Sequence, residues 1–153
     1  MRLLVVSDSH SYLSTLEDIL KRERSADLII HLGDHSDDMS PLTEYTAQKG
    51  VIICRGNCDI YGYEYAEQHV FEADGKKVLC CHGHRYYVKN GLYSLYCAAR
   101  EQRADICLYG HTHAPVIEEM NGITIVNPGA VCNGEYATID IIKGKINVIH
   151  KKV

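Results

Sequence analysis

Five short apolar segments, each followed within a few residues by Asp, Asn or His, constrain this chain more than any other feature. With their polar ends they read LLVVSDSH, LIIHLGD, VIICRGNCD, VLCCHGH and ICLYGHTH. Short apolar runs bounded by Gly and polar residues are typical of buried strands. Ligands of open α/β sheets bind just beyond the carboxyl ends of the strands. The pattern therefore predicts that five strand ends, scattered along the chain, converge on one site.

The first half of the chain alternates between strands and helices. Apolar runs predict strands at 2–7, 27–32 and 51–54. Ser14 to Glu17 has the form of a capping box and predicts a helix start. Ser40-Pro41 predicts the start of a second, short helix that ends near Gly50. Strands separated by helices indicate βαβ units and a parallel sheet.

The second half of the chain is dominated by hairpin signals. Turn dipeptides separate pairs of alternating segments at Asp74-Gly75, Asn121-Gly122 and Lys143-Gly144. One helix, from Leu92 to about Arg103, interrupts them. We expect a single domain over 1–153 of the α/β class, with a mixed sheet or two packed sheets and the helices outside.

Composition narrows the functional classes. The net charge is −4 and no basic run stands out, which disfavours an extended nucleic-acid surface. The N-terminal apolar run meets Asp8 at once, too early for a secretory or membrane segment. The seven cysteines form no CxxC zinc framework. They indicate reduced thiols in a cytoplasmic protein.

The polar ends supply a set of metal ligands. Taken alone, each motif is most often a polar loop or a turn, and only their conjunction at successive strand ends is specific. Carboxylates, imidazoles and an amide without a thiolate suit Mn, Fe, Co, Ni or Zn. Seven ligands exceed the needs of one tetrahedral ion and suit two ions roughly 3.5–4 Å apart. The candidate metal ligands are Asp8, His10, Asp34, Asn57, His82, His111 and His113.

In this order, D-x-H, G-D, G-N-x-D, H-G-H and G-H-T-H resemble the motifs of the calcineurin-like metallophosphoesterases. The short length and the cysteine of GNCD are most similar to the small YfcE-type phosphodiesterases of that family. The resemblance extends from Asp8 to the segment VNPGA. It implies a four-layer α/β/β/α sandwich of two mixed sheets flanked by helices.

The resemblance also implies a role for each ligand. Asp8, His10 and His113 would hold one ion, and Asp34 would bridge to a second ion. The second ion would be held by Asn57, His82 and His111. Two divalent ions, Mn first and Fe, Ni, Co or Zn as alternatives, would then support hydrolysis of a phosphoester by a metal-bridging hydroxide. Asp34, Asn57 and His82 would thus belong to the catalytic set.

One position departs from the wider family. Many members have His directly after the Asn, where it helps to protonate the leaving group, and here that residue is Cys58. We expect the thiol to pack rather than to donate. His84 and His35 are the other candidate donors. Arg55 is a candidate contact to a substrate phosphate.

Nearby tyrosines suggest a further strand. If the segment IYGYEY is extended, Tyr61, Tyr63 and Tyr65 share one of its faces. That face is expected to be half-buried, and a base-stacking wall or a subunit interface is the alternative.

Three functions are compatible with these motifs. The favoured one is a phosphodiesterase that acts on a small phosphodiester or nucleotide. The others are a phosphomonoesterase or protein phosphatase, and a non-catalytic scaffold, since the retromer scaffolding subunit has this fold with an impaired metal site. A complete ligand set argues against the scaffold. A homo-oligomer, dimer or tetramer, is compatible with so small a chain.

Overall fold

The computed structural model describes residues 1–60 and 63–153, which form ten strands and three α-helices. The helices are α1 (Leu13–Arg22), α2 (Thr43–Thr46) and α3 (Tyr93–Glu101). The strands are β1 (Arg2–Val6), β2 (Leu28–His31), β3 (Gly50–Ile53), β4 (Gln68–Ala73), β5 (Lys76–Cys81), β6 (Ile106–Leu108), β7 (Val116–Met120), β8 (Ile123–Asn127), β9 (Glu135–Ile142) and β10 (Lys145–Lys152).

The strands form two mixed sheets. The first sheet has the order β10-β9-β1-β2-β3 and the second has the order β4-β5-β6-β8-β7. In the first sheet β1, β2 and β3 are parallel, while β9 and β10 form an antiparallel hairpin beside β1. In the second sheet β5, β6 and β8 are parallel, and β4 and β7 pair antiparallel at the edges. The three predicted hairpins are confirmed.

Alternate residues of each strand face different layers. Leu3 and Val5 of β1 pack between the two sheets with Val78 of β5 and other inner-face residues. Leu4 and Val6 of the same strand belong to an outer cluster with α1. A third cluster covers the outer face of the second sheet with α3. This period of two buries both faces of the central strands, and it produces the predicted four-layer α/β/β/α sandwich.

The predicted start of the first helix was wrong. Tyr12 accepts the first helical hydrogen bond, from Leu16 N–H at 3.0 Å, and Ser14 lies inside α1 without capping it. The chain enters α1 from a turn with positive φ at His10 and Ser11. That turn brings the carbonyl of Tyr12 into position before Ser14 is reached.

The second predicted helix also begins elsewhere. A 3₁₀ helix runs over Ser36–Leu42 with Pro41 inside it, and α2 follows directly. The segment begins four residues before Ser40 because it continues the tight turn that follows β2.

The predicted tyrosine strand was wrong as well. Tyr63 lies in a turn and Tyr65 in a bend before β4, while Tyr61 is outside the described residues. Tyr65 donates its hydroxyl to Asp37 at 3.1 Å, and the Tyr63 ring is exposed.

Candidate metal centre

The five predicted segment ends lie together at the carboxyl edge of both sheets. Loops after β1, β2 and β3 come from the first sheet, and loops after β5 and β6 come from the second. Their side chains form two groups in which potential ligand atoms lie within 4.8 Å of one another. The first cluster is Asp8, His10 and His113, and the second cluster is Asp34, His82 and His111.

The first cluster surrounds a buried carboxylate oxygen. Asp8 Oδ2 accepts hydrogen bonds from the Ser7 hydroxyl and from His111 N–H, at 2.5 and 3.0 Å. Asp8 Oδ1 is buried and has no hydrogen-bond partner among the described residues. His113 Nε2 lies 3.1 Å from Oδ1 and 3.3 Å from His10 Nε2. Three potential ligand atoms therefore face one another, an arrangement that suits a cation.

The second cluster is built around a buried imidazole. His82 Nδ1 lies 3.0 Å from the carbonyl oxygen of Leu32, so that this nitrogen carries the proton and donates it. His82 Nε2 then faces Asp34 Oδ2 at 3.4 Å and Asn57 Oδ1 at 3.1 Å. In the neutral ring Nε2 is an acceptor that can ligate a cation together with these two oxygens, and in the charged ring it donates to Asp34 instead. Asn57 Oδ1 is therefore a further potential metal ligand of the second cluster.

Asp34 connects the two clusters. Its Oδ1 accepts a hydrogen bond from Cys58 N–H at 2.7 Å. Its Oδ2 lies 3.4 Å from His82 Nε2 and 3.9 Å from His10 Nε2. The same carboxylate therefore reaches a ligand of each cluster, as a bridging ligand must.

The charges of the site are strongly coupled. Burial alone would raise the pKa of Asp34, but the His82 ring and the Cys58 N–H outweigh it and lower that pKa far below its ordinary value. Burial alone would lower the pKa of His82, but Asp34 and Asp8 outweigh it and raise that pKa. Burial, the His82 ring and Lys89 lower the pKa of His111 to about 4. The site thus keeps the Asp34 carboxylate ionised in a buried place.

The backbone of the site is strained. Left-handed φ values for residues other than Gly cost roughly 1–2 kcal/mol each, and they persist where the surrounding structure enforces them. The candidate ligands with positive φ are Asp8, His10, Asp34, His111 and His113.

Gly56 and Gly110 allow neighbouring groups to pack closely at the site, and they do not themselves form sharp turns. A Cβ on Gly56 would overlap Asp34, and a Cβ on Gly110 would overlap the Ser7 hydroxyl. Neither glycine has a positive φ. Gly33 and Gly83 do have a positive φ, so the sharp turns at the site are shared between glycines and the candidate ligands themselves.

The other predicted residues lie around the two clusters. The His84 ring centroid is 5.4 Å from that of His82, and its buried Nδ1 has no partner in the described part of the chain. His35 Nδ1 lies 3.1 Å from the Ser11 hydroxyl. The Arg55 guanidinium stacks 4.3 Å from the centre of the Tyr63 ring. No contact joins Arg55 to either cluster among the described atoms.

The Cys58 side chain is exposed beside the second cluster. Asn57 Nδ2–H donates to its sulfur at 3.3 Å. Partial burial, together with the hydrogen bond to Asp34 and its charge, raises the pKa of Cys58 to about 11. The thiol is therefore neutral near pH 7 in the metal-free chain.

Sequence reasoning missed a layer of polar residues behind the ligands. Ser9 Oγ donates to Asp38 at 2.7 Å, and Ser11 N–H donates to the same carboxylate at 2.8 Å. The buried His31 Nε2 lies 3.2 Å from Ser9 Oγ. Asp59 is the most connected of these residues. Its place in the GNCD motif was a signal for it, whereas nothing local marks Asp38 or His31.

A cavity adjoins the second cluster, and a larger one lies elsewhere on the surface. A cavity of about 230 Å³ is lined by His82 of the second cluster and by the neighbouring His84, and it extends towards Glu67, Gln68 and Tyr86. A larger cavity, about 620 Å³, lies over Arg24, Tyr45 and Lys49 and has no residue of either cluster in its lining. We place the functional site at the clusters, because a cavity and converging potential metal ligands coincide there.

A family comparison matches residues 1–146 to the calcineurin-like phosphoesterase superfamily domain. The chain is 34% identical over 132 residues to the probable metallophosphoesterase YsnB of Bacillus subtilis, covering 86% of this chain and 75% of that protein. It is 29% identical over 153 residues to the phosphodiesterase YfcE of Escherichia coli, with 86% and 79% covered.

Solved structures agree with the sandwich. A predicted phosphoesterase from Streptococcus pneumoniae superposes with a TM-score of 0.82 at 29% identity, covering 99% of this chain and 88% of that chain. Vacuolar Protein Sorting 29 from Cryptosporidium parvum superposes with a TM-score of 0.76 at 20% identity, with 99% and 97% covered. This second likeness is one of fold alone. Among the described helices of the present chain, none has the length and apolar character needed to cross a membrane.

Proposed function

The chain belongs to the calcineurin-like phosphoesterase superfamily, and from that membership we propose that it is a two-metal phosphodiesterase acting on a small phosphodiester or nucleotide. The observation that carries the proposal is the convergence of carboxylate, imidazole and amide donors on two neighbouring points. The buried Asp8 Oδ1, which has no hydrogen-bond partner within 1–60 and 63–153, supports it, because such an oxygen is expensive to bury without a cation.

Each ion would be held by its own cluster. Asp8, His10 and His113 would hold the first ion, and Asp34 would be shared between the two. The second ion would be held by His82 and His111, with Asn57 Oδ1 as a further ligand. The oxygen and nitrogen donors suit Mn²⁺ first, with Fe, Ni, Co or Zn as alternatives.

When bound, two such ions supply an activated water and stabilise charge on the transferring phosphoryl group. The chain contributes orientation and charge. Leu32 O fixes the tautomer of His82, and the Cys58 N–H holds Asp34 in its ionised form. The left-handed ligand backbones are held in place before any substrate arrives.

Three neighbouring residues would contact the substrate rather than the ions. His84 lies beside the second cluster and is the residue best placed to meet a leaving group there. Arg55 stacks on Tyr63 with one face, which leaves the edge of its guanidinium for a phosphate oxygen. Cys58 occupies the position of a family proton donor, and its high pKa makes it a poor one near neutral pH.

A diester is favoured over the other two readings. The relative YfcE is named a phosphodiesterase, and Cys58 replaces the histidine that would assist a poor leaving group. The likeness to Vacuolar Protein Sorting 29 extends to the fold alone. A scaffold has no need of a complete ligand set, whereas hydrolysis requires one. The cytoplasmic location and a homo-oligomer stay predictions.

The test is hydrolysis of an aryl phosphodiester and of the matching monoester by metal-stripped protein as Mn²⁺ is titrated back. We expect activity to return with metal and to favour the diester. If full metal loading restores activity towards neither ester, the proposal fails and the scaffold reading gains. A preference for the monoester would instead move the chain to the phosphomonoesterases.

A further inference from the structure

We infer that Asp59 is a positioning residue that fixes Asp34 and Asn57 as metal ligands, an inference that rests on the proposed two-metal site. Asp59 is not itself a candidate metal ligand of either cluster. It lies 7% exposed beneath the loops after β2 and β3, and its carboxylate is hydrogen-bonded to both.

The contacts of Asp59 join two separate loops. Its Oδ2 accepts a hydrogen bond from Asp34 N–H at 3.0 Å, and its Oδ1 accepts one from Ser36 N–H at 2.8 Å. On the other side, Oδ2 accepts from Gly56 N–H at 2.6 Å. The Ser36 hydroxyl lies 2.9 Å from Oδ2 and also 2.9 Å from the carbonyl oxygen of Cys54. One buried carboxylate thus binds the backbone on both sides of the ligand pair.

The turn that Asp59 holds is unfavourable by itself. Asp34 and His35 are consecutive residues with φ of 62° and 60°. Two adjacent left-handed residues other than Gly are strained, and they need interactions that enforce them. Asp59 supplies these by accepting the N–H groups of Asp34 and Ser36, which flank His35. Without them the turn is free to relax towards ordinary φ values, and the Asp34 side chain moves with it.

The second loop is tied to the first at close range. A Cβ on Gly33 would lie 2.7 Å from Gly56 N, so the two backbones cross with no room between them. Asp59 holds Gly56 N–H at this crossing, one residue before Asn57. In return Cys58 N–H, one residue after Asn57, donates to Asp34 Oδ1. The position of Asn57 relative to Asp34 is therefore set by contacts on both of its sides.

The inference predicts an uneven effect on the two ions. Asp34 and Asn57 both serve the second ion, whereas only Asp34 serves the first. Loss of residues that support ligands typically weakens metal binding by about 10–100-fold. We expect Asp59→Asn to weaken the second ion by this factor and the first ion less. Asn keeps the shape of Asp, but its amide group has one acceptor oxygen where the carboxylate has two.

The experiment measures Mn²⁺ binding to the metal-stripped chain by calorimetry, together with circular dichroism and the Tm of the metal-free protein. Wild type serves as the reference and should bind two ions per chain. If wild type binds none, the proposed function fails, and Asp59 is not at issue. If wild type binds two ions and Asp59→Asn binds both with unchanged affinity, only the present inference is overturned.

Asp37→Asn is the matched control. Asp37 is exposed in the 3₁₀ helix after β2, where it accepts the Tyr65 hydroxyl through Oδ1, and its replacement removes the same charge near the site. We expect wild-type Mn²⁺ affinity. An equal loss in Asp37→Asn and Asp59→Asn would show that only net charge matters, and it would overturn the positioning role.

If Asp59→Asn does not fold, Ser36→Ala tests the positioning role of Asp59 instead. This change keeps the carboxylate and its three backbone donors, and it removes only the hydroxyl at 2.9 Å. The affinity for the second ion should fall roughly threefold, the equivalent of one hydrogen bond. Unchanged affinity in a folded Ser36→Ala protein would contradict the inference.

Discussion

At the amino end of β1, Arg2 is paired completely, whereas at the carboxyl end Asp8 is not. Arg2 donates through Nε and Nη2 to the two oxygens of Asp140, at 2.7 and 2.8 Å, and its backbone N–H donates to Asp27. Beyond the other end of the strand, Asp8 is wholly buried with one oxygen unpartnered among the described residues and a φ of 55°.

Along this single strand, the residues at the amino end contribute to stability, and those at the carboxyl end belong to the candidate functional site. Paired charges at the amino end help to hold β1 against β9 and the start of β2. A buried carboxylate with one oxygen unpartnered among the described residues and left-handed backbones at the carboxyl end oppose folding, and they are tolerated because the two-sheet core enforces them. Substitutions at the amino end should therefore change the free energy of unfolding, whereas substitutions at the carboxyl end should change metal binding and hydrolysis.

The largest effect is expected from Asp34→Asn at the carboxyl end. The change removes the charge that both clusters share, so Mn²⁺-dependent hydrolysis should fall by more than about 100-fold, beyond the range for supporting residues. The Tm of the metal-free protein should fall little, because the isosteric amide removes a buried charge together with the contacts that lower the pKa of Asp34. Turnover close to wild type would contradict the two-metal proposal. A large drop in Tm would contradict the difference between the two ends of β1.

The next largest effects should be losses of Mn²⁺ affinity that differ between the two clusters. The His82 side chain is 0% exposed and that of His113 is 39% exposed. His82→Asn should therefore weaken Mn²⁺ binding by roughly 100-fold, whereas water can partly replace the ring in His113→Asn, where we expect roughly tenfold. Calorimetric titration of the two matched variants measures both losses. Equal losses would mean that burial does not set the affinity of the clusters.

At the amino end, Asp140→Asn should lower stability and leave activity unchanged. Loss of the pair with Arg2 should reduce the free energy of unfolding by about 0.5–1 kcal/mol in denaturant titrations near pH 7. Asp18→Asn on the exposed face of α1 is the control and should change it less. A fall in phosphodiester hydrolysis matching that of Asp34→Asn would contradict the separation of the two ends.

The same pair predicts a pH dependence. The hydrogen bond and charge of Arg2 lower the pKa of Asp140 below its ordinary value of about 3.9. Its stabilisation is therefore complete above that value and is lost as the pH falls through the lower folded pKa. The stability gap between wild type and Asp140→Asn should close below about pH 4, as measured by unfolding titrations at several pH values.

The smallest effect is expected from Cys58→Ser. The thiol is exposed and its pKa is about 11, so the rate of diester hydrolysis near pH 7 should stay within about twofold of wild type. A large loss would make the thiol catalytic after all. Cys58→His sharpens the test, because a higher rate on esters with poor leaving groups would show that the family role of histidine transfers to this position.

Much of the fold follows from local patterns. Period-two burial and the Asp74-Gly75 and Asn121-Gly122 turns predicted the hairpins, since both signals act between neighbours in the chain. Helix starts were missed where tertiary geometry overrode the local signal. The turn at His10 and Ser11 begins α1 before the capping box at Ser14 can act.

The site divides in the same way. Residue types and strand ends determined by themselves which side chains are candidate metal ligands, because the donor atoms belong to the residues and the carboxyl ends of parallel strands share an edge. Only the tertiary structure decided that His113 lies 3.1 Å from Asp8, that Asp59 supports Asp34, and that Arg55 turns to Tyr63. Such distances depend on how two sheets and their strained loops pack, and in the first two pairs the partners are far apart in the sequence.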